Sequence, residues 1–166
     1  MFVGYTGNSL GWGIGAATGA KIAAPDRLVV CSIGDGAVMY SASGFWSQAR
    51  YGVPVLTVVW NNHNYQAVRL GFNRYGGKMA ASGQYAGMYL GDPDIDFVKL
   101  AESQGVKGEK VGTAADLEAA LRRGVQSTRN GNSYVVEAVI SRIGGGAEST
   151  WHEGFKLTQR MKGRRA

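Results

Sequence analysis

Two apolar runs, each closed by a short polar turn, constrain the fold of this chain more than any other feature. Leu28-Val29-Val30-Cys31-Ser32-Ile33 ends at Gly34-Asp35-Gly36, and Pro54-Val55-Leu56-Thr57-Val58-Val59-Trp60 ends at Asn61-Asn62. Apolar, β-branched runs bounded by Gly, Asp and Asn predict buried strands. Ser41 to Tyr51 lies between them and is long enough for a crossover helix, which makes the two strands parallel. Parallel neighbours deliver both turns to the carboxyl edge of one sheet, where open α/β folds bind ligands. Asp35 and Asn62 stand 27 residues apart in sequence (35 to 62). One carboxylate, one or two carboxamides and Gly-freed backbone at such an edge suit a hard divalent cation holding phosphates.

The remaining patterns extend the same architecture. Gly11 to Ala24 is small and apolar and reads as a closely packed helix ended by Pro25-Asp26. Asp94 to Gln104 carries a helical face through Ile95, Val98, Leu100 and Ala101, with Gly105 able to end it. Val106 to Val111 reads as a short strand. Thr113, with Asp116 three residues on, has the form of a helix N-cap before the stripe Leu117, Ala120, Leu121 and Val125. Ser133 to Ser141 is a last buried strand. Gly76 to Gly91 lacks periodicity and reads as a long loop, a lid or a subunit contact. Alternating helices and strands predict an α/β fold, a doubly wound, mostly parallel sheet with helices on both faces.

The GDG turn followed by the Asn pair resembles the diphosphate-binding motif of thiamine diphosphate (TPP)-dependent enzymes. Leu10-Gly11-Trp12-Gly13, Gly34 to Tyr40 and Asn61-Asn62-His63-Asn64-Tyr65 look like the carboxy-terminal domain of the benzoylformate decarboxylase and acetolactate synthase group. The likeness covers roughly residues 7 to 141 and implies the thiamine diphosphate-binding fold over 1–155, apparently without its first segment. Carried over, the Mg²⁺ ligands would be the Asp35 carboxylate, the Asn62 side-chain oxygen and the Asn64 main-chain carbonyl. Gly34, Gly36 and Ala37 would bring backbone close to the diphosphate, with Tyr65 beside it. Leu10 would be the bulky residue wedged beneath the cofactor rings. Asn8 occupies the position whose carbonyl accepts from the cofactor amino group, where the family usually has Gly. Phe72 follows the Asn pair on the substrate side, with buried packing the role its size favours.

The resemblance implies an enzyme acting on a 2-oxo acid, either a decarboxylating lyase or a carboligase. The activating Glu belongs to a pyrimidine-binding domain, and nothing in the sequence resembles one. A partner chain or domain is therefore expected to supply that half-site, in a homo- or hetero-oligomer, and the isolated chain is expected to be inactive. The alternative is a non-catalytic cofactor-binding or assembly module, or a truncated remnant. A Rossmann-type nucleotide binder is disfavoured, because Gly11-Trp12-Gly13-Ile14-Gly15 fails the G-x-G-x-x-G spacing and follows no strand.

Charge and composition narrow the partners. The formal charge is +6, but residues 156–166 supply +5 of it, leaving +1 for the rest, so this is a basic tail rather than a nucleic-acid surface. A single cysteine, Cys31, inside an apolar run excludes an internal disulfide and fits a reducing compartment, so the expected location is the cytoplasm. No apolar run reaches membrane-spanning length.

Overall fold

The computed structural model of the chain describes residue 3 and residues 9–150. Asn8 and the basic tail 156–166 lie outside the described residues. In chain order the elements are α1 (Trp12–Ala23), β1 (Val30–Gly34), α2 (Asp35–Val38), α3 (Gly44–Tyr51), β2 (Leu56–Asn61), α4 (Gln66–Tyr75), α5 (Lys78–Ser82), α6 (Phe97–Glu102), β3 (Lys107–Val111), α7 (Ala114–Arg129) and β4 (Tyr134–Val139). The described residues fall into two compact units, one up to residue 62 with 95–141 and the other 63–94 with 142–150. This division lies inside the 1–155 domain expected from sequence.

The first unit is a four-stranded parallel sheet in the order β1-β2-β4-β3. Successive strand residues point to opposite faces, so the sheet needs cover on both. On one face Cys31, Ile33, Val59 and Val135 pack with Ile14 of α1, Phe45 of α3 and Phe97 and Ala101 of α6. On the other, Leu56, Val58, Val136 and Ala138 pack with Ala120 of α7, flanked by Leu117, Leu121 and Val125. Helices on both faces of a parallel sheet give the doubly wound architecture that the alternating pattern predicts.

Local signals place the elements. Thr113 caps α7, its hydroxyl accepting from the Asp116 amide at 3.1 Å. Gly11 lies at φ 80 immediately before α1, and a Cβ there would come within 2.6 Å of the Tyr40 Cβ. Only glycine allows both that left-handed backbone and that approach. It seats the start of α1 against the chain leaving α2.

Several boundaries differ from the sequence reading. β1 begins at Val30 rather than Leu28, because it is an edge strand and Leu28 is half exposed. β2 runs one residue further, taking Asn61 into the ladder, where its carbonyl accepts from the Ile140 amide at 2.9 Å. α3 begins at Gly44 rather than Ser41. α6 is a shorter helix than the 94–104 segment that predicts it.

The second unit contains two helices where sequence gives none: α4 after the Asn pair and α5 within the expected loop. Arg69 of α4 is fully buried. Its guanidinium donates to the carbonyl of Ile143 at 2.6 Å, and also to the carbonyl of Gly145 and the side chain of Gln66. The same cation lies 5.8 Å from the ring centroid of buried Tyr85, whose hydroxyl bonds Asn73. Asn73 in turn donates to the Gly145 carbonyl at 2.8 Å. This network ties α4 to the 143–145 segment.

Candidate functional site at the carboxyl edge of the sheet

The register of β1 and β2 builds the first part of the site. Gly34 pairs with Trp60, so Asp35 leaves β1 level with the Asn61-Asn62 end of β2. Neighbouring strands lie about 4.8 Å apart, which puts both polar turns on one short stretch of sheet edge. Asp35 opens α2 directly after Gly34 and is buried, only 4% exposed. Its Oδ1 accepts from the Gly36 amide at 2.8 Å. That bond fixes the carboxylate and engages the amide expected to face a phosphate. Ala37 is half-buried one residue further on, and Asn62 is half-buried at the other turn.

Leu10, Gly34 and Ala37 line one groove of about 540 Å³ along α1 and β1. Leu10 is 57% exposed, so its side chain is not spent on packing at the start of the helix. Leu10 thus lies on the same concave surface as Gly34 and Ala37, while Asp35 and Gly36 do not line it.

The remaining sequence-predicted residues belong to the second unit. Asn64 is buried and forms an isolated antiparallel bridge with Tyr89. Its carbonyl accepts from the Gln66 amide at 2.7 Å around Tyr65, which has φ −70 and ψ 64. That is an inverse γ-turn, and a carbonyl oxygen so used retains a second lone pair. The Tyr65 amide donates to Met88 at 2.8 Å, and Tyr65 itself is half-buried before α4. His63 has φ 54, the left-handed region where Gly, Asn, Asp and His are tolerated best. Its carbonyl accepts from Leu90 and its Nδ1 lies 3.4 Å from Asp94, so it is anchored as part of the turn.

Phe72 is 42% exposed, which corrects the buried packing role expected for it. It shares an exposed face of α4 with Val68. Cys31 is buried, and burial pushes its thiol up to about 11, so it stays a protonated packing group.

Sequence reasoning passed over Glu137. It is fully buried in the centre of β4, opposite Val59 of β2 and Lys110 of β3. One carboxylate oxygen accepts from Asn61 Nδ2 at 2.7 Å and pairs with Lys110 Nζ at 3.1 Å. The other accepts from the Phe97 amide at 3.1 Å. The signal was present in the sequence as a lone acid interrupting Tyr134 to Ile140.

The donor set at this edge is a carboxylate and carboxamides, all hard oxygen ligands of the kind Mg²⁺ takes. Among the described residues no group of three His, Cys, Asp or Glu side chains could hold a metal ion.

Comparison with known proteins bears on the same region. The family model "Thiamine pyrophosphate enzyme, C-terminal TPP binding domain" matches residues 2–138. IlvX of Mycobacterium tuberculosis, which carries the name of an acetolactate synthase large subunit, is 42% identical over 118 residues, 70% of this chain and 23% of its own. Benzoylformate decarboxylase of Pseudomonas aeruginosa is 33% identical over 120 residues, 72% of this chain and 21% of its own. A solved structure, the thiamine diphosphate-dependent 4-hydroxybenzoylformate decarboxylase of Rhodococcus jostii RHA1, superposes with a TM-score of 0.64 at 38% identity, over 77% of this chain and 22% of that one. The chain spans about a fifth to a quarter of the length of these relatives.

Proposed function

The chain belongs to the thiamine pyrophosphate enzyme family, through its C-terminal TPP binding domain, and on that premise we propose that it is the diphosphate- and Mg²⁺-binding part of a 2-oxo-acid decarboxylase or an acetolactate synthase-like carboligase. The observation that carries this reading is the parallel register delivering Asp35 and Asn61-Asn62 to one sheet edge. Asp35, the Asn62 side-chain oxygen and the Asn64 carbonyl would hold Mg²⁺. A buried carboxylate fixed by its neighbour's amide supplies the charge, while neutral carboxamides avoid adding to that of the diphosphate. The backbone of Gly34, Gly36 and Ala37 approaches the phosphates, with Tyr65 beside them. Leu10, exposed in its groove, supports the rings. When bound, the cofactor supplies the electron sink for breaking the bond to the carboxylate of a 2-oxo acid.

Activation of the cofactor needs a Glu on a pyrimidine-binding half-site, which we assign to a partner chain or domain in an oligomer. The isolated chain is then a binding unit without turnover, working in the cytoplasm. Among the described residues no helix is long and apolar enough to cross a membrane.

Titration calorimetry of the 166-residue chain with thiamine diphosphate tests the reading directly. Binding is expected with Mg²⁺ and lost with chelator, and Asp35→Ala should abolish it. Equal heats with and without Mg²⁺, or unchanged binding by the variant, would reject the assignment. Decarboxylation of a 2-oxo acid is expected only after a Glu-bearing partner is added. Turnover by the single chain would contradict the shared site.

A further inference from the structure

We infer that Glu137 is a positioning residue for the proposed metal turn, acting through Asn61; this rests on the reading of the sheet edge given above. A carboxylate with no exposure, in the middle of an apolar sheet face, is costly unless fully bonded. Here it is bonded on three sides: by Asn61 Nδ2, the Phe97 amide and Lys110 Nζ. Lys110 offsets its charge, so what it offers its surroundings is directed acceptors. Stability alone does not call for such a group, since well-packed apolar side chains commonly serve buried positions at least as well.

The bond that matters is the one to Asn61. That residue is 1% exposed, its backbone is paired to β4 through the Ile140 amide, and its side chain is pinned by Glu137. Asn61 is thus immobilised in both backbone and side chain, one residue before the expected ligand Asn62. Strand ends ordinarily fray, and a ligand on a fraying end would be displaced. Glu137 prevents this by gripping the last residue of β2 from the neighbouring strand. Supports of this kind behind a ligand govern metal affinity without touching the metal.

Glu137→Gln keeps the shape but gives one carboxylate oxygen position a donor, which opposes either Asn61 Nδ2 or the Phe97 amide. Asn61→Ala removes the same bond from the other side while leaving Glu137 its two other partners, and it serves if the first variant fails to fold. Mg²⁺ affinity, measured calorimetrically with saturating thiamine diphosphate, should fall about 10–100-fold in either variant. The double variant should lose no more than the larger single effect, since both act on one contact. Val136→Ala, on the opposite face of β4, provides the structural control. It should lower Tm while keeping Mg²⁺ affinity within about twofold, because its side chain packs on the face of the sheet away from Glu137 and Asn61.

Unchanged affinity in both Glu137→Gln and Asn61→Ala would overturn the inference. So would a loss in Val136→Ala as large as theirs. If the unaltered chain takes up neither Mg²⁺ nor the cofactor, the functional reading fails by itself. Positioning is then read without ligand, from hydrogen exchange at the Ile140 amide. Glu137→Gln should speed that exchange about tenfold if the end of β2 is released, and unchanged protection would again refute the role.

Discussion

Phe45 and Arg69 are both fully buried, yet they hold their surroundings in different ways. Phe45 fills space in the first unit's core, in one apolar cluster with Ile14 of α1 and Ile33 and Val59 of the sheet. Its position follows from area removed from water and from the absence of room elsewhere. Arg69 sits in the second unit among backbone carbonyls and a tyrosine ring, and its position follows from directed bonds. A packed face tolerates variation in which residue does the filling. A cation satisfied by carbonyls depends on one side chain. The second unit, which carries Asn64 and Tyr65, is therefore organised by a few specific contacts, while the sheet edge carrying Asp35 and Asn62 is organised by a whole layer.

Substitution on the packed side should cost the most. Phe45→Ala should cost about 3–5 kcal/mol, the usual range for removing a buried aromatic ring. Because that residue belongs to the shared core of α1, α3, β1 and β2, the loss should appear as lower protection across the sheet. An unfolding free energy, measured by chemical denaturation, lowered by less than about 1 kcal/mol would show that the face can refill itself, contrary to its tight packing.

Arg69→Met comes next. The carbonyls of Ile143 and Gly145 keep Gln66 and Asn73 as donors, so losing the charged donor should cost on the order of 1–3 kcal/mol in all. The loss should be confined to the second unit. Hydrogen exchange should accelerate over 63–94 and 142–150 and stay unchanged in β1, β2 and β4. Uniform acceleration in both units would mean that the two forms of organisation are not separable.

The same contrast explains what could be read from the sequence. Strands, crossover helix and parallel order were legible because the apolar face of each element is written as periodicity, and the turns that close β1 and β2 are written as Gly, Asp and Asn. Val135, Val136 and Ala138 announce a buried strand whatever surrounds them. The helices α4 and α5 were not legible: Gln66 to Tyr75 buries Arg69 and exposes Val68, Phe72 and Tyr75, an inverted pattern for a water-soluble helix. Its order comes from polar bonds to residues more than 70 positions away, such as Ile143 and Gly145, which no local pattern encodes. Glu137 was missed for a related reason. Within a strand it looks like an interruption, and only the three-dimensional register shows it facing Asn61.

The smallest expected effect tests a third kind of contact, one on the surface. Arg123 of α7 holds Glu109 of β3 through two bonds, at 2.9 Å and 2.5 Å, and the Tyr134 hydroxyl adds a third at 3.0 Å. Hydrogen bonding from Arg123, then from Tyr134, holds the Glu109 carboxyl below the ordinary glutamate range, while burial raises the Tyr134 phenol above its own. A carboxyl with a depressed folded-state pKa contributes stability that is present above its unfolded value, about 4.3, and is lost as pH falls through the folded one. Arg123→Gln should therefore lower Tm slightly at pH 7. The gap between variant and unaltered chain should narrow as pH drops below about 4, once the carboxyl is protonated in both. It should also narrow in high salt, since the pair is solvent-facing. A gap that stayed constant down to pH 3 would show that Arg123 acts through its packed methylenes rather than its charge, placing this contact with Phe45 instead of with Arg69.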